Sequence, residues 1–359
     1  MDITIKNLFK KHFSKEPQFF SEANGRVNLI GEHTDYSGGY VLPTLIAKKT
    51  MVAISLRDDN KIRGVSDIFG ESECTIQSSP DGTWLDFIRG AINYVNKEGA
   101  DIRGVNLTVS SDIPIEAGLS SSAALEISVL RALIKSTNLN INSTDLAILG
   151  QKIEHNFVGT QCGVMDQIVC SKSKFGKILF LDCEKLITKT FKSFSEYSFL
   201  IIHSGDTRKL PLEKYNNRKK EIEKVMKLLN VSSLKNITIN QVNQIENPIL
   251  RKRTHHVVSE NNRVLQAYKC FETNNPKKFG KLMFESHTSM SKDYEISSNK
   301  LDNIVNEAKN SGALGARLTG AGFGGCVVVL CEPKSEELIT KSITTKCTNS
   351  HLITKICPL

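Results

Sequence analysis

Apolar residues return every three or four positions in several stretches of the chain, and each stretch predicts a helix with one buried face. Ile5, Leu8, Phe9 and Phe13 share such a face over 3–15. Trp84, Phe87, Ile88, Ala91, Ile92 and Val95 predict a helix over 83–95, opened by the capping run Asp81-Gly82-Thr83. Ala123, Ile127, Leu130 and Ile134 place a buried helix that begins near Ser120. Leu146, Leu149, Gly150, Ile153 and Phe157 predict a helix over 143–157, with Ser143 as its cap. Further helices are expected over 212–229, 257–271, 277–291, 299–309 and 338–346. Shorter apolar runs read as strands. The runs 50–56 and 61–65 flank Asp58-Asp59-Asn60 and read as a β-hairpin; 177–181 and 186–191 pair around a second turn. Strands are also expected at 27–30, 105–109, 199–203, 326–331 and, as an edge, 351–356. Helices and strands are mixed, which gives an α+β class. The polar, serine-rich segment 192–197 marks a boundary between domains of 1–194 and 195–359, each long enough for its own core.

Composition narrows the class. Hydrophobic residues make up 40% and charged residues 24%, the balance of a globular chain. The net charge of +9 favours anionic ligands. The basic groups Arg218-Lys219-Lys220, Arg251-Lys252-Arg253 and Lys277-Lys278 lie inside helical patterns without interleaved aromatics. They read as solvated helix faces, and no nucleic-acid partner is expected. Nine cysteines form no CxxC pair, which argues against a disulfide framework or a zinc site and for a reducing, cytoplasmic location. The first residues carry no secretory apolar segment, and no apolar run approaches a membrane span, so no membrane partner is expected.

The candidate chemistry lies in three stretches. In GRVNLIGEHTDYSGGYVLP, residues 25–43, a short buried strand is followed by Gly31 and then by Glu32, His33, Thr34 and Asp35. Four hydrogen-bonding side chains after a rigid element look like a binding rim, although a polar turn in a hairpin has the same composition. Arg26 precedes that strand. In IPIEAGLSSSAALE, residues 113–126, Pro114 and Gly118 mark a loop, and three serines stand where a buried helix begins. Unpaired N–H groups and the positive end of the helix dipole make that a candidate phosphate cradle. An ordinary serine cap needs only one of the three. Without a following Gly-Lys-Ser/Thr it is not a Walker loop. In the third stretch, 314–325, glycines crowd ahead of an apolar strand, which implies positive φ angles or close backbone approach to another element. Glu154 lies just off the apolar face of its helix and reads as a magnesium ligand or a surface charge; Asp166 ends a glycine-bounded loop and reads as functional or as an N-cap.

Taken in order, these stretches resemble the galactokinase family. The first is similar to its signature, the second to the phosphate-binding motif of the wider GHMP kinases, and LTGAGFGGCVVVL to their third motif. GVMDQ at 163–167, EKYNNR at 213–218 and ESHTSMSKDYEIS at 285–297 extend the likeness, which runs from about residue 18 to 332. The resemblance implies a two-domain GHMP kinase fold. Its N-terminal domain would be like domain 2 of ribosomal protein S5, its C-terminal domain ferredoxin-like, with the active site in the cleft between them. It implies that Glu116-Ala117-Gly118-Leu119-Ser120-Ser121-Ser122 hold the ATP phosphates and that Ser122 and Glu154 bind Mg2+. Ser66 and Trp84 match positions near the nucleotide. Glu32, His33, Thr34 and Asp35 would bind the sugar, closed by Tyr215. Asp166 would take the proton of the anomeric hydroxyl, and Arg26 would stabilise charge in the transition state, although some members of the superfamily work by positioning alone.

The implied reaction is ATP-dependent phosphorylation of galactose to galactose 1-phosphate by a monomer or weak dimer. Alternatives are a related kinase for N-acetylgalactosamine or arabinose, or a galactose sensor without catalysis. Arg26, Asp166 and the complete serine run favour an enzyme over the sensor. Two positions depart from the family pattern. Glu116 stands where the family has Gly, and it is expected to face solvent and alter ATP affinity; Ser37 stands where many members have Asn.

Overall fold

Elements of one compact unit are built on the first amphipathic pattern and the strands that follow it. This computed structural model describes residues 3–206 and 212–357. One unit holds the chain up to Gly25, Lys48–Pro114 and Ser120–Lys172; the other holds Arg26–Ala47, Ile115–Leu119 and the chain from Ser173 on. In chain order the elements up to residue 172 are α1 (Ile3–Phe13), β1 (Phe19–Asn28), β2 (Tyr40–Val41), β3 (Pro43–Arg57), β4 (Lys61–Ser66), β5 (Gly70–Thr75), α2 (Leu85–Lys97), β6 (Gly104–Ser111), α3 (Ser121–Lys135), α4 (Ser143–Ile153) and α5 (Met165–Lys172). In the first unit, Ile5 and Phe9 of α1 pack on Ala53 and Met51 of β3, while Lys6 and Lys10 stay exposed. The helices α2, α3, α4 and α5 pack on one another.

The expected hairpin of 50–56 with 61–65 does not form. β6 lies between the two strands, antiparallel to β3 (Val52 opposite Val109) and parallel to β4 (Ile62 opposite Val105). Gly104 permits this, because a Cβ there would stand 2.3 Å from the Asp59 carbonyl oxygen and 2.6 Å from that of Lys61. The other edge of β4 is taken by β5, whose polar GESECT sequence has no apolar alternation to announce it. Helix starts also differ from expectation. The α4 cap is Asn142, whose Oδ1 accepts from the amides of Thr144 (2.9 Å) and Asp145 (3.0 Å), not Ser143. At α2, Asp86 reaches back to accept from the amides of Asp81 (3.1 Å) and Gly82 (2.7 Å). After Ile153 the helix widens into a π-type turn over Glu154–Val158 and stops at Gly159, whose φ is +87°. Such widenings concentrate at functional positions.

The second unit continues with β7 (Lys177–Asp182), β8 (Ile187–Lys192), β9 (Ser198–His203), α6 (Leu212–Leu228), α7 (Ile239–Asn243), α8 (Pro248–Glu272), α9 (Pro276–Lys292), α10 (Asn299–Asn310), β10 (Gly315–Thr319), β11 (Cys326–Cys331), α11 (Glu336–Lys346) and β12 (His351–Ile356). The β7–β8 hairpin forms as expected, with β2 on the other edge of β7. An antiparallel sheet runs in the order β10-β11-β9-β12. Its apolar faces and the stripes of α6, α8 and α10 make the main core, including Leu200, Ile202, Val257, Leu301, Val327 and Val329. The close approach inferred for the glycine-rich stretch is present. A Cβ on Gly280 of α9 would stand 2.1 Å from the Leu314 carbonyl oxygen, so α9 and the start of β10 touch backbone to backbone. Helix α8 begins earlier than its apolar stripe, at a Pro248 start with Asn247 as cap. Its basic run is not a plain solvated face: Arg253 is buried and bonds Glu221 (3.2 Å), Glu295 (2.7 Å) and the Asp293 carbonyl (2.5 Å).

Candidate active site

The first unit brings together the serine run, Asp166 and Glu154. Ser120 occupies the cap position of α3 with φ +60° and ψ 48°, a left-handed conformation that a side chain disfavours. Its hydroxyl does not cap the helix. It donates instead to Oδ2 of Asp166 at 2.6 Å, in the first turn of α5. The strain therefore aims a hydrogen bond at a half-buried carboxylate, as strained residues at functional sites do. Ser121 and Ser122 form the first turn of α3. The Ser122 and Thr160 hydroxyls bond the buried Glu154 carboxylate. Burial raises Glu154 above the usual carboxylate range, against the pull of those hydroxyls. Behind it, Glu126 is fully buried in mid-α3 and accepts from Gln167 Nε2 at 3.1 Å. Burial, then the neighbouring Glu154, pushes Glu126 well above its ordinary value. Gly150 leaves room for this group; a Cβ would stand 3.2 Å from Glu126 Oε2. Among the described residues no group of three His, Cys, Asp or Glu side chains is arranged to hold a metal ion.

Ser66, at the end of β4, accepts from the amides of Ile68 (3.1 Å) and Phe69 (3.2 Å) and shapes the turn into β5. The exposed Phe69 ring stacks on Trp84 at 6.5 Å, and the indole N–H reaches Ser72 Oγ at 3.3 Å. Trp84 is also packing: it fills the space a side chain on Gly64 would take.

The loop ahead of Ser120 is held from Arg26. Arg26 Nη1 donates to the Gly118 carbonyl at 2.7 Å, and its amide to that of Leu119 at 3.0 Å. Ala117 and Leu119 are buried, whereas Glu116 is exposed with φ +59°. Glycine takes that conformation freely. A non-glycine residue gives up about 1–2 kcal/mol there, of which roughly 0.5–1 would be offset by glycine's extra chain entropy. Glu116→Gly is therefore expected to stabilise the protein by about 0.5–1 kcal/mol in a denaturant titration; no gain would contradict the strain.

In the second unit, Gly31 turns the chain after β1 with φ +102°, and a Cβ there would strike the Tyr40 carbonyl oxygen at 2.6 Å. Glu32 follows, almost wholly buried. Its carboxylate accepts from Asn28 Nδ2 and from the amide of Gly320 in the glycine-rich stretch, with the Arg317 guanidinium 3.8 Å away. Burial raises Glu32, and Arg317 and then Arg26 oppose the rise. His33 has φ +60°. Its Nε2 lies 3.1 Å from the Ala321 carbonyl oxygen, which only accepts, so Nε2 carries the proton. Nδ1 then accepts from the Tyr36 hydroxyl (2.8 Å), which accepts in turn from Tyr294 (2.6 Å). The Tyr215 ring closes on His33 at 5.4 Å and on Tyr36 at 5.8 Å. Burial lifts both Tyr36 and Tyr294 above the ordinary phenol range. Thr34 is turned inward: its hydroxyl bonds the Gly31 (3.0 Å) and Tyr40 (2.8 Å) carbonyls and shapes the loop. Asp35 is half-buried and opens a 3-10 turn, Asp35–Ser37, that ends on Gly38.

Sequence reading did not select Tyr36, Tyr294, Glu126, Glu260 or Arg317. For Glu126 a signal existed, an acid in the apolar run AALEISVL, and Tyr36 stands three residues from its partner His33; for Tyr294, Glu260 and Arg317 the partners across the fold are too distant in the chain to be seen.

The GHMP kinases N terminal domain model matches residues 86–174, the galactokinase galactose-binding signature 7–56, and the GHMP kinases C terminal model 267–348. The structure of Lactococcus lactis galactokinase complexed with galactose is 32% identical, with a TM-score of 0.93 over 98% of this chain and 97% of that one. Methanococcus jannaschii mevalonate kinase shares the fold at 23% identity and a TM-score of 0.70, over 94% of this chain and 98% of that one. Streptococcus pneumoniae phosphomevalonate kinase, in complex with phosphomevalonate and AMPPNP, does so at 15% and 0.71, over 94% and 99%. With a two-domain GHMP kinase fold, the galactokinase galactose-binding signature over residues 7–56 and that full-length likeness, the chain belongs to the galactokinase family of the GHMP kinases.

Proposed function

We propose that the protein transfers the γ-phosphoryl group of ATP to the anomeric hydroxyl of galactose, giving galactose 1-phosphate and ADP. The observation that carries this reading is the galactose-binding signature on residues 7–56, whose loop holds Glu32 and His33 in fixed orientations. Glu32, His33, Asp35 and Tyr215 are the proposed sugar ligands, with Thr34 shaping the loop from within. Asp166, oriented by the Ser120 hydroxyl, takes the proton from O1 as O1 attacks the γ-phosphorus and ADP leaves. Arg26, fastened to the Gly118 carbonyl, stabilises charge on the group in transit. Glu116–Ser122 receive the triphosphate, where amides and the dipole at the start of α3 favour an anion. The turn at Ser66, with Trp84, is the proposed nucleotide-side contact.

Ser122 and Glu154 fit Mg2+. Hydroxyl and carboxylate are hard oxygen donors, and this ion often takes one or two protein ligands besides substrate phosphates. Behind this position Glu126 and Glu154 share a hydrogen bond between two buried carboxyl groups, and burial raises both. When bound, the ion supplies neutralisation of phosphate charge. A division at 194–195 into N- and C-terminal domains and a monomer or weak dimer complete the proposal. A cytoplasmic location is supported by free cysteines, of which Cys170, Cys183, Cys270, Cys326 and Cys331 are core residues. Among the described residues no helix is long and apolar enough to cross a membrane.

An ADP-release assay over a panel of sugars tests the reading. Galactose is expected to be turned over fastest. Faster turnover of N-acetylgalactosamine or arabinose would overturn the substrate, and galactose binding without ADP release from any sugar would point to a sensor.

A further inference from the structure

Beneath the sugar loop lies one face of α8, formed by His256, Glu260, Asn261 and Val264 at helical spacing. Each of the four meets the loop. Glu260 Oε1 accepts from the amides of Gly31 (2.9 Å) and Glu32 (3.3 Å) and from Ser286 Oγ (2.7 Å). Its Oε2 accepts from Arg263 Nε at 2.7 Å. His256 Nε2 is 3.2 Å from the Glu32 carbonyl oxygen, so it donates there, and Nδ1 faces Ser289 Oγ at 3.0 Å. Asn261 Oδ1 accepts from the Tyr40 amide at 2.8 Å and stands where a side chain on Gly39 would be. Val264 Cγ2 would be 2.9 Å from a Cβ on Gly31. His256, Glu260 and Asn261 are buried.

We propose that Glu260 is a positioning residue for sugar binding: its carboxylate fixes the Gly31 and Glu32 amides and so sets where the Glu32 and His33 side chains stand. The inference rests on the reading that this loop holds galactose. Two consecutive amides on one buried oxygen fix the peptide planes on either side of Glu32. Left-handed backbone at His33, which a side chain disfavours, would otherwise relax. The group needs to be a carboxylate. Arg263 and Arg317 face it with donors only, so an amide N–H in place of Oε2 would meet Arg263 Nε donor to donor.

Steady-state kinetics of Glu260→Gln, with both substrates varied, test this. KM for galactose is expected to rise about tenfold, the effect of one mispaired buried group, with KM for ATP and kcat within about twofold of wild type. A variant that melts lower but keeps the wild-type KM for galactose has lost only a structural tie, and that result overturns the proposal. Ser286→Ala removes one donor from Oε1 with little change in volume, and it serves if Glu260→Gln does not fold. Its KM for galactose is expected to rise about two- to threefold; an unchanged value overturns the proposal equally. Failure of the wild type to phosphorylate galactose would count against the sugar reading itself, whereas normal wild-type turnover with unmoved KM in the variants counts only against Glu260.

Discussion

Asp166→Asn is expected to lower kcat for galactose by about 10²–10⁴-fold while galactose still binds. The amide keeps the size of the carboxylate, and its oxygen can still accept from Ser120 Oγ, now 2.6 Å from Oδ2. What it loses is the capacity to take a proton from O1. The anomeric hydroxyl is a poor nucleophile until that proton leaves, so the loss falls on the chemical step. The proposed binding loop is the one after Gly31, where Glu32 and His33 are held by Gly320, Asn28 and Ala321. Galactose titration calorimetry and steady-state kinetics on the same preparation separate the two. A kcat within tenfold of wild type would mean that the enzyme works by positioning alone, with Asp166 only orienting the hydroxyl.

Arg317→Met is expected to be the most damaging substitution for stability. Arg317 has no exposed surface, lies 3.8 Å from both Glu32 Oε2 and Glu260 Oε1, and donates to the Asn28 carbonyl at 3.2 Å. Methionine fills most of the volume but takes from the buried Glu32 its nearest cation and leaves Glu260 with Arg263 alone. Breaking a buried pair from one side costs about 3–5 kcal/mol, because the remaining carboxylate stays buried without its counter-charge. In a chain of this size that lowers the melting temperature by on the order of 10 °C. The pH dependence has a definite sign. Burial opposes the charge of Glu260, yet Arg263 and then Arg317 hold it at about 2, below the ordinary 4.5. Its contribution is present above about 4.5 and is lost as pH falls towards 2. Glu32, raised by burial, works the other way, and its charge opposes folding as pH rises through its folded value. Arg317 lowers both carboxylates, so its removal raises them, and the loss of stability is expected to be largest near neutral pH and to shrink as pH falls below about 4.5. A melting temperature equal to wild type at neutral pH would show that the two carboxylates are compensated elsewhere.

The parts of this site that depend on local chain chemistry were legible in the sequence. The serine run after Gly118, the acids after Gly31 and the glycines before β11 are signals within a few residues, and helices such as α10 follow from the period of their own apolar stripes. What escaped has partners far along the chain. The polar run Ser259-Glu260-Asn261-Asn262-Arg263 has the composition of a solvated helix face, yet Glu260 and Asn261 are buried because the amides of Gly31 and Tyr40 need acceptors. Arg317 sits in an apolar strand for the same kind of reason, between two carboxylates more than fifty positions away. The β3–β4 hairpin failed because a two-strand reading has no place for β6, whose insertion depends on the missing side chain at Gly104. Ser120 was legible as a helix cap or phosphate ligand, but its hydrogen bond to Asp166 joins residues 46 apart and only the folded chain shows it.

The most direct measurement is phosphorus and proton NMR of the product formed from galactose and ATP. A single new phosphate resonance coupled to the anomeric proton, formed by wild type and lost in Asp166→Asn, is the expected result. Phosphate coupled to any other sugar proton, or no sugar phosphate at all, would contradict it.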